Sequence, residues 1–152
     1  VNKLPSRKQL AHDVPLWVDP AKECYFVTIC CKARGRNQLA LPDVAKGLLE
    51  TVQFRSGIGV WYVHVAMLMP DHVHLIVSFP QTEKRLKTII SKWKEWTAKS
   101  VGISWQRDFF EHRLRQDESF RQKADYVLQN PVRAGLAERP EDWPYVFIAN
   151  PW

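Results

Sequence analysis

The chain has 152 residues, 45% of them hydrophobic and 25% charged, with a net charge of +6. That length buries a core without disulfides or a structural metal, so one domain over 1–152 is expected, with 1–21 as an irregular N-terminal arm. Three cysteines, Cys24, Cys30 and Cys31, in no CxxC spacing argue against a disulfide framework or zinc site, and no apolar run or signal-peptide pattern suggests membrane insertion or secretion; a cytoplasmic protein with reduced thiols is expected.

In chain order, residues 24–31 are β-branched and aromatic, a strand candidate. A loop with Lys32, Arg34, Gly35 and Arg36 follows. Pro42 and Asp43 open a helix of roughly a dozen residues, with Val44, Leu48, Leu49 and Val52 on one face. Residues 60–67 and 72–79 read as two strands, and Pro70-Asp71 between them is turn chemistry, so an antiparallel pair is expected. A second helix over 82–99 carries Leu86, Ile89, Ile90 and Trp93 at helical spacing, with Lys84, Lys87, Lys92 and Lys94 on its other face. Residues 105–110 suggest a short strand. Asp117 and Glu118 open a third helix, which contains Tyr126 and ends at Asn130 before Pro131. The order β, α, β, β, α, β, α predicts an α+β fold with helices against a largely antiparallel sheet. The order of the strands within the sheet is left open.

The charge is uneven. Residues 1–40 carry seven basic and three acidic groups, and 81–135 carry twelve and seven, around a slightly acidic middle. Two basic regions of this kind suit a polyanionic partner, and the 12% of aromatic residues suits stacking on bases as well as a core.

His72-Val73-His74 is the sharpest local feature. Side chains two apart on a strand share a face, roughly 7 Å apart, so both imidazoles can meet one metal ion. A pair at this spacing also commonly decorates an exposed sheet face. Tyr126 and Asn130, four apart on a helix, project from one side of it. A tyrosine hydroxyl is a weak nucleophile that becomes useful beside a metal, and an amide oxygen is a hard ligand for Mg²⁺ or Mn²⁺. The plainer alternative is a core tyrosine and a helix-ending asparagine. Together the four residues make a mixed nitrogen and oxygen set with room for a phosphate oxygen.

Two long motifs carry a resemblance: Met69-Pro-Asp-His-Val-His-Leu-Ile76, and Tyr126-Val-Leu-Gln-Asn-Pro-Val-Arg-Ala-Gly-Leu136 about fifty residues later. In this order they resemble the IS200-like single-tyrosine HUH transposases, and among these the REP-associated tyrosine transposase branch. Trp105-Gln-Arg-Asp-Phe-Phe-Glu-His112 and Asp142-Trp-Pro-Tyr145 are similar to the same branch. The resemblance implies a ferredoxin-like fold and a divalent metal (Mg²⁺ or Mn²⁺) on His72, His74 and Asn130. It implies Tyr126 as the nucleophile that becomes joined to the 5′ end of the cut strand. The implied substrate is single-stranded DNA with a hairpin, cut and rejoined in DNA transposition and recombination without a nucleotide cofactor.

Lys84, Lys87, Arg113 and Arg115 are candidate phosphate contacts, and by family analogy Arg7 and Lys8 are candidate readers of a guide sequence. Relatives work as monomers and as homodimers, and a monomer is favoured here. The competing readings are a hairpin-binding protein of the same fold that no longer cuts, and a ferredoxin-like RNA-binding domain. No RNP-like aromatic motif supports the second.

Overall fold

A computed structural model describes the backbone of residues 24–80, 83–114 and 117–150, and all of their side chains except those of 83–85 and 117–119. The expected arm over 1–21 lies outside the described residues. The elements in order are β1 (Cys24–Cys30), α1 (Pro42–Gly57), β2 (Tyr62–Leu68), β3 (His72–Ser78), α2 (Glu83–Ser100), β4 (Phe110–Leu114), α3 (Asp117–Leu128), a short α4 (Asn130–Arg133) and, after a 3-10 turn, β5 (Val146–Ile148). Pro42 at the first turn of α1, with Asp43 beside it, supplies a preset φ and a negative charge where a helix start favours both.

The strands form one sheet in the order β4-β1-β3-β2-β5, and every neighbouring pair is antiparallel. Its first four strands, with α1 and α2, follow the βαββαβ path of a ferredoxin-like unit, and β5 extends it beyond β2. The fold is α+β with an antiparallel sheet, as the element order predicted.

Period-two alternation splits the apolar residues between two layers. On one face Val27, Ile29, Leu75 and Val77 pack against Leu48 and Val52 of α1 and Leu86, Ile90 and Trp93 of α2. On the other, Phe26, Val65, Met67 and Ile76 meet Phe120, Ala124 and Val127 of α3, with Trp143 at the edge. Much of the aromatic content is core. Trp93 lies 6.0 Å from Trp61 and 5.6 Å from Trp105, ring centre to ring centre. The buried indoles are satisfied: Trp61 Nε1 donates to the Val52 carbonyl, Trp93 Nε1 to Thr51 and Trp105 Nε1 to Thr97.

Two elements differ from the sequence expectation. The strand expected over 105–110 begins only at Phe110, because Trp105 makes a single bridge to Cys31 and puts its ring into the helical core. The third helix does not stop at Asn130. It breaks at Gln129 and resumes as α4, since Pro131 lacks the N–H that would continue the ladder but fits a first helical turn.

A register slip between Val63 and Val65 makes His64 the extra residue of a bulge on the α3 face. Its Nε2 lies 2.8 Å from Ser78 Oγ, its ring meets Tyr62 and Phe120 edge-on, and burial pushes its pKa down to about 4. A base held below its unfolded value near 6.5 leaves the unfolded chain binding more protons between the two. Stability from this site is complete above pH 6.5 and is lost as pH falls towards 4. Urea titrations should show it contributing about 2 kcal/mol less at pH 5 than at pH 7, a slope that His64→Asn removes. An unchanged pH slope in that variant would exclude His64 as its source.

Candidate active site

His72 and His74 sit at the start of β3, and the intervening Val73 is buried in the opposite core. Their rings face the α3 side with centres 4.7 Å apart and planes at 77°. Each is held by a neighbour through Nδ1. For His74 the partner is Thr28 Oγ1 at 2.9 Å, directly across on β1, and the Phe26 ring stacks on the same imidazole at 5.2 Å. Burial, and then the charges of His72, Lys123 and Arg133, push the His74 pKa down to about 3, so the ring is neutral at physiological pH.

For His72 the partner is Asp71 Oδ1, 2.8 Å from Nδ1. The second Asp71 oxygen accepts the Gly35 N–H at 2.7 Å and Arg34 Nε at 3.0 Å. Gly35 has φ +78°, a conformation open to glycine, which turns its amide into this contact. Burial raises the Asp71 pKa, but the bonds from Gly35, His72 and Arg34 outweigh it and hold the carboxyl at about 2. An ionised carboxylate only accepts, so His72 donates to Asp71 through Nδ1, which leaves Nε2 as the ring nitrogen open to a metal. Carboxylate-fixed imidazoles of this kind are typical of metal-binding histidines.

Tyr126 stands on the exposed side of α3, 52% accessible, with cations around its ring. The Arg133 guanidinium lies 3.8 Å from the ring centre. Its Nη2 donates to the Tyr126 carbonyl at 2.7 Å and reaches Asn130 Oδ1 at 3.5 Å. Lys123 Nζ lies 5.1 Å from the Tyr126 ring centre and 4.6 Å from that of Phe26, the ring stacked on His74. The candidate tyrosine and the candidate histidine are thus linked through one lysine and one phenyl ring on the same sheet face. Arg133 ties Asn130 to that group.

The donor chemistry fits a hard divalent cation in one respect and limits it in another. Two neutral-capable imidazoles with engaged Nδ1 atoms are suitable donors. Among the described residues no third His, Cys, Asp or Glu joins them, so a third protein donor here has to be of another type, such as Asn130.

The candidate DNA contacts fare differently. Lys87 is exposed on α2, which packs on the sheet face away from the histidines. Arg113 shares its rung with Tyr25, a residue of that same opposite core. Neither is brought to the His72 and His74 face. Arg7, Lys8 and Arg115, and the side chain of Lys84, lie outside the described residues. The cations that do reach the site, Lys123 and Arg133, were not singled out in the sequence; their spacing of three before and seven after Tyr126 was the available signal. Thr28 and Asp71 were likewise read only as strand and turn.

A ferredoxin-like sheet carries the paired histidines on a central strand, under a helix bearing an exposed tyrosine, which is the arrangement that the resemblance to single-tyrosine HUH transposases implies. The chain belongs to the REP-associated tyrosine transposase family. It is 30% identical over 144 residues to a Haemophilus influenzae protein assigned to that family, covering 80% of this chain and 77% of that protein. The REP-associated tyrosine transposase of Escherichia coli K12 is 27% identical over 85 residues, 55% of this chain and 52% of its own length. The fold is shared with a solved REP-associated tyrosine transposase bound to a REP hairpin, with a TM-score of 0.64 and 23% identity over 83% of this chain and 76% of the other. No family model matches the chain. Among the described residues no helix is long and apolar enough to cross a membrane.

Proposed function

We propose that this protein binds hairpin-bearing single-stranded DNA, cuts it and rejoins it, with Tyr126 as nucleophile. The observation that carries the reading is the Lys123 bridge, which places Tyr126 and the Phe26–His74 stack around one cation on one sheet face. That bridge also supports a site completed within one chain, and the sharing of one sheet by both cores supports reading residues 24–150 as one domain.

The Tyr126 oxygen attacks the phosphorus of the scissile diester, and the bond from phosphorus to the 3′ oxygen breaks. The 5′ end becomes a phosphotyrosine, Tyr126 gives up its phenolic proton, and the departing 3′ oxygen takes one up. A 3′-OH attacking the phosphotyrosine reverses these changes and rejoins strands, which requires no nucleotide cofactor because each step exchanges one phosphodiester linkage for another. Lys123 and Arg133 flank the tyrosine ring and attract the phosphate to it. Arg133 also fixes the α3–α4 junction, and so the relative placement of Tyr126 and Asn130. His72, His74 and Asn130 would hold Mg²⁺ or Mn²⁺, which when bound neutralises charge on the non-bridging phosphate oxygens. Thr28 and Asp71 hold the two imidazoles in place.

The test is a denaturing gel of protein mixed with labelled hairpin DNA and Mn²⁺. A covalent protein–DNA band that EDTA prevents is expected. Hairpin retention without any adduct, at all Mn²⁺ and Mg²⁺ concentrations, would instead favour a binding protein that does not cut.

A further inference from the structure

Phe110 opens β4, the outer strand on its side of the described sheet, and its ring is 57% exposed. The register sets Phe110 opposite Thr28 and Thr28 opposite His74, so the three lie on one line across the sheet. Two strand spacings put Phe110 about 10 Å from His74, on the same face. Phe26 connects them through its rings, stacked on His74 at 5.2 Å and edge-on to Phe110 at 6.3 Å.

Four large aromatic rings are exposed among the described residues: Phe54, Trp96, Phe110 and Tyr126. Phe54 and Trp96 line a cavity between α1 and α2, on the far side of the sheet. Phe110 and Tyr126 are the two near the histidines. Two cations stand beside them: Lys123 lies over the Phe26 ring, and Arg133 covers Tyr126. An apolar ring beside a phosphate-attracting cluster matches a ligand that alternates anionic groups with flat rings, which is a single nucleic-acid strand.

We infer that Phe110 is a stacking shelf for the base of one nucleotide next to the scissile phosphate. This rests on the reading of the site given under Proposed function and extends it to how the strand is laid across the sheet. With the phosphate at Tyr126 and the histidines, the strand runs towards β4, and one base leaves the stack to lie on Phe110. A phenyl ring offers no hydrogen bonds, so the shelf fixes the position of the strand and is tolerant of base identity. The face of the ring does the binding; apolar bulk without a flat face does not replace it.

The experiment uses the full chain and a hairpin oligonucleotide that the wild-type protein cuts, with an abasic site or 2-aminopurine placed in turn at each nucleotide flanking the cut. Phe110→Ala and Phe110→Leu are expected to lower binding roughly 5- to 150-fold, while Phe110→Trp stays close to wild type. One abasic position should cost the wild-type protein a similar factor and cost Phe110→Ala nothing more. At that position 2-aminopurine fluorescence rises when wild type draws the base out of the DNA stack, and Phe110→Ala does not produce that rise. Equal sensitivity of wild type and Phe110→Ala at every position overturns the shelf, as does a Phe110→Leu variant that binds like wild type. If the wild-type chain cuts no hairpin DNA and forms no adduct, the reading of the site fails first and the shelf falls with it.

Discussion

Tyr126→Phe is expected to remove strand cutting and covalent capture, by roughly a thousandfold or more, while hairpin affinity stays within about twofold. The substitution deletes one oxygen. No hydrogen bond to that oxygen forms among the described residues, and half the ring is already in solvent, so folding loses little. The contacts of the ring survive, because Arg133 at 3.8 Å and Lys123 at 5.1 Å are drawn to an aromatic face that phenylalanine also has. Phosphate attraction by the two cations therefore persists when the chemistry is gone. Tyr126→Ala is a poorer probe, since it takes away the surface on which Arg133 lies and so disturbs Asn130 as well. Labelled hairpin DNA, followed in parallel by native and denaturing gels, separates binding from cutting. Nicking at anything near the wild-type rate by Tyr126→Phe would remove Tyr126 as the nucleophile.

What the sequence made legible was whatever depends on local period. Alternation in 72–79 put His72 and His74 on one face and Val73 on the other, and the structure keeps that division. A spacing of four joined Tyr126 to Asn130, though the break at Gln129 means the pair spans two helical pieces rather than one. Tertiary facts were not legible. Charge alone made the α2 lysines as good a candidate as any, because nothing in a helix's own sequence says which side of a sheet it will cover. The two-helix layer occupies one face, which leaves the other to α3 and the histidines. Thr28 is invisible as a partner of His74 until the β1–β3 register is known. Phe110 read as the end of a strand and is instead the beginning of one, because Trp105 is taken by the core. In a sheet a shift of this kind changes which residues are counted as outward, and so hides an exposed ring.

Support of the imidazoles can be tested separately from their role as donors. His74→Ala is expected to abolish Mn²⁺ binding by titration calorimetry, together with Mn²⁺-dependent cutting. Asp71→Asn and Thr28→Val should weaken Mn²⁺ binding roughly 10- to 100-fold, with cutting recovered at high Mn²⁺. The difference follows from what each atom does. His74 would donate through Nε2, and burial keeps its pKa at about 3, so the ring remains neutral from pH 5 upwards. Asp71 has its two oxygens committed to His72, Gly35 and Arg34, so its charge acts on the site through His72 Nδ1. An asparagine can still accept that proton, but without the charge that makes His72 a stronger donor, and it loosens Arg34. Thr28→Val keeps the shape of the β1 rung and removes only the hydroxyl 2.9 Å from His74 Nδ1. If Asp71→Asn proved as severe as His74→Ala at saturating Mn²⁺, Asp71 would have to be a donor itself. If neither supporting substitution moved Mn²⁺ affinity, packing such as that of the Phe26 ring on His74, and not these hydrogen bonds, would hold the imidazoles.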